Sequence, residues 1–328
     1  MQTSAPATTA LFDYQVPHAS SLTQLRLWLL RLVGRQTWIP KGRDFLARKI
    51  LHPDHGHDLA FEAGFFGMRY PGNLSQYIDW MVFTYGSSCS SELTLLADLA
   101  TELRRNKREI TFFDIGGNVG HHSLFMAPRA DRVVVFEPFP WLQEKIREKI
   151  ALNRVANVQV VPVALGEVNT TLTYYPGGGS NSGTGTFVPE EDGLYKDPVE
   201  LMVRNGDELC DELRLPPIDL IKIDVEGLEP SALRGLARHI QRSRPPILME
   251  LSDRSRAGYG SEENFRSSFY DRALFAEVTG LPGRVYQLKP LRFQSASELL
   301  VLPPEMSDFL SRRMQQSAAS MRIGESAG

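Results

Sequence analysis

Cysteine is almost absent from this sequence. Cys89 and Cys210 are the only two, too few for a disulfide framework, so a reducing, cytoplasmic setting is expected. Long hydrophobic runs are missing as well. No stretch reaches the about 18 apolar residues that read as a membrane span, and Met1 to Ser20 has neither a basic n-region nor an apolar h-region, so no secretory signal is expected. Strong charge of one sign is also lacking: 36 Lys and Arg against 39 Asp and Glu leave a net charge of −3. That balance argues against a nucleic-acid partner held by phosphate neutralisation. What remains is ordinary for a globular protein, 42% hydrophobic and 23% charged over 328 residues, enough for one large α/β domain with an accessory segment.

The most informative stretch runs from Thr111 to Gly120 (TFFDIGGNVG). Its apolar start predicts a strand buried on both faces of a parallel sheet. The strand carries Asp114 and opens into a turn with glycines at 116, 117 and 120, where backbone can approach a ligand closely. A second buried strand, Arg132 to Phe136, is followed by Glu137, 23 residues after Asp114. That is near the interval at which an acid reaches a ribose diol in doubly wound folds. The turn reads D-x-G-G-N-x-G rather than G-x-G-x-x-G. An acid ahead of the glycines suits a cofactor with a cationic amino-acid end, S-adenosylmethionine (SAM), better than a nicotinamide dinucleotide.

The rest of the chain sorts around that stretch. Residues 1–20, rich in Ser, Thr, Ala and Pro, predict a disordered tail. Residues 21–105 predict an accessory or capping region, with helices at 22–33, 43–51 and 91–104, and an aromatic-dense segment from Phe61 to Gly86 forming strand and helix or two strands. Leu22 to Val33 is apolar but interrupted by Arg26 and Arg31, which fits a helix packed on the domain; the sharper alternative is a membrane-surface helix, so peripheral membrane contact stays open. His52, His55 and His57 share a polar loop that reads as a solvated turn sooner than a metal site. From 106 to 303, strands at 110–115, 132–137, 158–163, 219–225 and 246–251 alternate with helices, including 139–153 and 228–240, and predict a parallel sheet. Residues 284–288 and 298–302 predict an antiparallel pair that finishes it. Residues 304–328 predict a tail with little to bury. The glycine-rich run Pro176 to Gly185 is either a surface linker or a loop that closes over ligands.

Taken together, FFDIGGNVGHHS, VVFEP, NVQVVPVALG, LIKIDVEG and ILMEL, spread over residues 110–252, resemble the FkbM-type SAM-dependent methyltransferases. KIDVEG is the most particular of these motifs. The resemblance implies a Rossmann-like, mostly parallel seven-stranded sheet with helices on both faces and its last strand antiparallel, with SAM bound above the carboxyl ends of the first two strands. It also implies O-methylation of a sugar, glycolipid or natural-product hydroxyl. Two positions depart from it: Gly117 stands where many members have alanine, an exchange expected to be tolerated, and Cys89-Ser90 stand where related extensions have an acid.

On that basis Asp114, Gly116, Asn118 and Gly120 are expected at the methionine half of SAM, Glu137 at the ribose hydroxyls and Ala164 beside the adenine. His121 and His122 are expected to pack and to bond nearby backbone. Lys222 and Asp224, two apart on one strand, project to the same side, and Asp224 and Glu226 lie at its carboxyl end, where open α/β sheets place ligands. Asp224, Lys222 and Glu226 are the candidate catalytic residues. Asp224 or Glu226 would serve as general base with Lys222 fixing the geometry. Alternatively Asp224, Glu226 and Glu250 together bind Mg²⁺ to orient and acidify the acceptor hydroxyl. Two other functions stay in view, a nicotinamide-dependent oxidoreductase and a non-catalytic nucleotide-binding module.

Overall fold

The structure, a computed structural model, describes residues 11–36, 42–55, 57–176, 185–186, 197–280 and 286–325. The expected glycine-rich loop at Pro176 to Gly185 lies almost wholly outside the described residues. Two compact units form. The smaller contains residues up to Cys89 together with Glu148–Arg154 and Tyr174–Val199; the larger contains Ser90–Arg147, Val155–Thr173 and the chain from Glu200 onward. The helix Ser90–Leu103, assigned from sequence to the accessory region, therefore belongs to the larger unit.

In the smaller unit the aromatic segment resolves into a hairpin and a helix. Strands Ala60–Phe65 and Met68–Asn73 pair antiparallel. Phe66 and Gly67 both take positive φ at the turn, the twist-compatible way to join two strands through two residues. Helix Tyr77–Tyr85 follows. Asp79 on that helix is buried and ties it to the hairpin, accepting the Tyr70 hydroxyl at 2.8 Å and the Asn73 N–H at 2.9 Å. The expected disordered tail is not disordered from residue 11 onward: Tyr14–Gln15 adds a strand to the hairpin, pairing with Glu62 and Ala63, because extended backbone at a sheet edge satisfies its own polar groups. Helix Ser21–Gly34 is capped by Ser20, whose hydroxyl accepts the Thr23 N–H. Arg31, which interrupts its apolar run, is buried: it donates to the Phe83 carbonyl at 3.0 Å and lies over the Tyr14 and Phe83 rings.

The larger unit is built on one eight-stranded sheet. Its strands are β1 (Thr111–Ile115), β2 (Arg132–Phe136), β3 (Val158–Val161), β4 (Leu220–Ile223), β5 (Ile247–Glu250), β6 (Leu274–Thr279), β7 (Gln287–Pro290) and β8 (Glu298–Leu302). The spatial order is β3-β2-β1-β4-β5-β8-β6-β7. β3 through β5 run parallel, whereas β8 is antiparallel to β5 and to β6, and β7 is antiparallel to β6. Order reverses between β1 and β4, which makes their carboxyl ends the switch point of the sheet.

Two expectations about this sheet need correction. It has eight strands, not seven. The segment Leu274–Thr279, for which no strand was expected, is a strand between β8 and β7, so residues 287–290 and 298–302 do not pair with each other. The expected helix at 228–240 is two, Glu229–Gly235 and Ala237–Ser243. The break falls at Leu236, beside Gly235, where a Cβ would overlap the Gly166 carbonyl.

All five residues of β1 are buried, as are the last four of β2 and all four of β4. Phe113, Phe136, Ile221, Ile247 and Val301 share one apolar cluster with Leu233 and Ile240 of the covering helices, and burial of this kind is the main favourable term in the fold. The C-terminal segment is not a loose tail either. Helix Ser307–Glu325 buries Phe309, and the Ser317 hydroxyl accepts the Leu288 N–H of β7 at 3.1 Å.

Candidate active site

The turn after β1 has the conformation that its glycines predict. Gly116 and Gly120 take φ of 85° and 79°, and Asn118 takes 49°. At Gly116 a side chain is barred twice, by the positive φ and because a Cβ would overlap the carbonyl oxygen of Asp224. Both amides of Gly116 and Gly117 donate to the Phe136 carbonyl at the end of β2, at 3.0 and 3.2 Å. The turn is thus held against the strand that delivers Glu137.

Glu137 is buried and clamps the turn. Its Oε2 accepts the Asn118 N–H at 2.7 Å and its Oε1 the Phe139 N–H at 2.9 Å. Burial pushes its carboxyl up to about 8 against the pull of those two donors, with the charge of Asp114 adding to the rise. Asp114 is fully buried, and its Oδ2 accepts the Ser123 hydroxyl. Its Oδ1 and the Asn118 Oδ1 are buried oxygens with no donor among the described residues. A buried acceptor without a donor costs about 1–3 kcal/mol; the cationic amino group and hydroxyls of a SAM-like molecule would relieve it. Ala164 is half-buried and opens a short strand, Ala164–Gly166, that pairs parallel with Val203–Asn205.

On the other side of the switch point Lys222 stands in register with Asp114 across β4 and β1, so both side chains lie on the same face. Lys222 is buried and its Nζ is 3.0 Å from Asp224 Oδ2. Burial alone would lower the Lys222 pKa, but the charges of Asp224, then Asp114 and Glu92, outweigh it and hold the ammonium well above its usual range. Lys222 therefore pairs with Asp224, not with Glu226.

Asp224, Glu226 and Glu250 do gather at the carboxyl ends of β4 and β5, with unequal roles. Glu250 is pushed up to about 8, by burial first and then by Asp224, with which it shares a hydrogen bond. Glu226 has positive φ and an exposed surface, yet burial and the charges of Asp224 and Glu229 push its carboxyl up to about 7. The three acids whose oxygens converge within 4.8 Å are Asp224, Glu229 and Glu250, so Glu226 drops out of the expected metal set. Glu229 does not serve as a replacement ligand. Its Oε1 accepts the Val225 and Gly227 N–H groups at 2.9 and 3.3 Å and its Oε2 accepts the Ser255 hydroxyl at 2.6 Å. With those oxygens engaged and Glu250 favouring its protonated form, the donor set is a poor fit to Mg²⁺, which requires ionised oxygen ligands.

The sequence did not reveal a second layer of charge. Glu92, from helix Ser90–Leu103, lies 3.1 Å from His122 Nε2 and is buried. Burial would raise its pKa, but the hydrogen bond and charge of His122, with the charge of Lys222, hold it well below the carboxylate range. Glu298, opposite Glu250 in the β5–β8 register, is pushed up to about 10 by burial and by Glu92. His122 thus lies within ion-pair distance of a carboxylate, and His121 is buried with its ring centroid 5.0 Å from that of His122. Glu298 was signalled only by an acid heading the apolar run ELLVL, and Glu229 by its place just after the left-handed pair Glu226 and Gly227.

This topology, with a glycine turn after β1, an acid after β2 and a charged cluster after β4, defines the Rossmann-like methyltransferase class. Residues 114–280, half of the chain, match the methyltransferase FkbM domain, and the chain belongs to that family. Among curated relatives it is 32% identical over 159 residues to the methyltransferase sdnD of Sordaria araneosa, covering 38% of this chain and 59% of that one. It is 27% identical over 146 residues to the hexuronic acid methyltransferase AglP of Haloferax volcanii (42% and 55%), and 26% identical over 162 residues to the 2-O-methyltransferase NoeI of Sinorhizobium fredii (45% and 65%). The chain thus spans between 55% and 65% of these relatives' lengths. A solved structure of methyltransferase FkbM from Methylobacillus flagellatus KT is 19% identical, with a TM-score of 0.40 over 60% of this chain and 44% of that one. No helix of the described residues is long and apolar enough to cross a membrane.

Proposed function

We propose that this protein is a SAM-dependent O-methyltransferase whose acceptor is a hydroxyl of a sugar, glycan or secondary metabolite. The observation that carries it is the pair of buried, donor-less oxygens on Asp114 and Asn118 beside Glu137. Asp114 and Asn118 would receive the methionine amino end, Gly116 and Gly120 let the backbone approach it, Glu137 faces the ribose hydroxyls and Ala164 the adenine. When bound, SAM supplies an already activated methyl carbon. The protein's own task is then to align the acceptor oxygen with that carbon and to take its proton.

The Asp224–Glu250 pair suits the second task. Lys222 lies 3.0 Å from Asp224, and burial, then the charge of Asp224, pushes the neighbouring Glu250 carboxyl up to about 8. The acceptor proton would pass to Asp224, with Lys222 positioning that carboxylate and Glu226 at the rim contacting the acceptor. In this reading Lys222 supplies the positive charge beside Asp224. The names of AglP and NoeI, a hexuronic acid methyltransferase and a 2-O-methyltransferase, support a sugar acceptor.

Titration calorimetry of the full chain with SAM and with NAD tests the cofactor, and methyl transfer from labelled SAM to a panel of uronic acids, neutral sugars and polyketide alcohols tests the reaction. SAM binding with transfer to one class of alcohol is expected. NAD binding without SAM binding would establish the oxidoreductase instead; SAM binding with no transfer to any alcohol would favour the non-catalytic module.

A further inference from the structure

The smaller unit carries a surface that methyl transfer does not use. Helix Ser21–Gly34 buries Leu27, Leu30, Arg31 and Gly34, and so packs on its unit as expected. Its opposite face is not polar. Leu22 is 68%, Leu25 52% and Leu29 37% exposed, and Arg26 stands exposed among them at helical spacing. The neighbouring helix Arg43–Ile50 packs against it and exposes Phe45 (63%) and Leu46 (43%), with Lys49 exposed one turn on. Isolated exposed leucines need no explanation, but five large apolar side chains on two adjoining helices form a patch of the kind that marks an interaction site.

Beside the patch lies a cavity of about 470 Å³, and the two share residues. Arg26, Phe45 and Lys49 line it together with Arg48, His52, His55 and His57, and among the described residues no acidic side chain lines it. Arg48 is neutralised by Asp44 at 2.7 Å, and His52 lies 3.6 Å from Asp54. Among the described residues Arg26 and Lys49 have no ion-pair partner. Their field is felt locally: His57 is held below the usual histidine value by burial, then by His55 and Arg26. None of the groups of potential metal ligands among the described residues includes these histidines.

We infer that this face docks on an anionic phospholipid surface, with Leu22, Leu25, Leu29, Phe45 and Leu46 entering the headgroup and acyl boundary and Arg26 and Lys49 meeting lipid phosphate. An apolar ridge flanked by basic side chains is the pattern of interfacial helices. A second copy of the chain fits less well, because a two-fold contact through this face would set Arg26 and Lys49 against their own counterparts. Nucleic acid would leave the leucine ridge exposed to water. Docking is independent of the proposed catalytic reaction, and its test requires no turnover.

The test is flotation of the full chain with vesicles of phosphatidylcholine, alone or mixed with phosphatidylglycerol. Partitioning onto the mixed vesicles should exceed that onto phosphatidylcholine by about tenfold or more. Arg26→Glu with Lys49→Glu should weaken it at least about thirtyfold, since each basic residue near such a surface contributes about a fivefold factor. Leu25→Asp with Phe45→Asp should weaken it at least about tenfold. All four positions are exposed, so melting temperatures should stay at the wild-type value. Wild-type protein left in solution with anionic vesicles would overturn the inference, as would variants that still float. So would sedimentation showing that the wild type is a dimer that Leu25→Asp dissociates.

Discussion

Lys222 Nζ lies 3.0 Å from Asp224 Oδ2, the lysine buried and the aspartate 41% exposed at the edge of the cleft. One end of this ion pair is fixed in the sheet, and under the proposed reaction the other would meet the acceptor. The charges of Asp114, Asp224 and Glu92 all act on Lys222, so its loss removes a cation that these acids share. Lys222→Met should cost about 3–5 kcal/mol of stability and abolish turnover. Urea unfolding near neutral pH measures the first. A variant as stable as wild type would mean that the acids do not depend on it.

Asp224→Asn keeps shape and removes charge. If Asp224 takes the acceptor proton, turnover should fall by about 10²–10⁴-fold, while SAM affinity by calorimetry stays within a few-fold, because Asp114, Asn118 and Glu137 are untouched. Full turnover in this variant would remove Asp224 from the mechanism. Exhaustive chelation of the wild-type enzyme should leave turnover unchanged, since the oxygens of Glu229 are engaged by Val225, Gly227 and Ser255. A loss restored by Mg²⁺ would show that the acids rearrange around a cation.

The cluster also sets a pH dependence with a definite sign. Folded values near 8 for Glu137 and Glu250, 7 for Glu226 and 10 for Glu298 all lie above the 4.5 of a free glutamate. Between 4.5 and those values the folded chain binds more protons than the unfolded one, so stability falls as pH rises through that window. The depressed Glu92 contributes in the opposite sense, but only as pH falls below its unfolded value. The urea midpoint should therefore be lower at about pH 8.5 than at about pH 6, and Glu250→Gln should flatten part of the slope. A midpoint that is flat or rises across this range would show that these carboxyls ionise freely in the fold.

How much of this was readable in the sequence depends on whether the signal was local. β1, β2 and β4 are mostly apolar runs with an acid at or just past their carboxyl ends, and both the strands and their acids lay in the string itself. The strand Leu274–Thr279 was not legible. Half-buried at its start and containing Glu277, which pairs with Arg292 across 15 residues, it looks polar until its neighbours are known. The residues missed at the site share one feature. Glu92 comes from a helix ahead of the domain match and Glu298 from a strand after it, and only the closed sheet brings them to His122 and Lys222. The burial of Arg31 was not legible either, because the aromatic rings that cover it, Tyr14 and Phe83, are distant in sequence.

Gly117 offers a separate test, because the local packing leaves no room for a Cβ there. Its φ is not in the left-handed region, so backbone strain is not the obstacle. A Cβ at this position would instead overlap Val135 Cγ1 on β2, while its contact with Ile146 Cδ1 would be an ordinary 3.5 Å. Val135 is fully buried and cannot turn away without displacing its neighbours. Gly117→Ala should cost about 1–3 kcal/mol as an overpacking change. Val135→Ala alone should also destabilise, by leaving a void. If the clash is the cause, the double variant should be more stable than the sum of the two losses predicts, with a coupling of about 1 kcal/mol or more. Strict additivity in urea unfolding would place the requirement for glycine at 117 in close approach of a ligand rather than in the fit of the turn against β2.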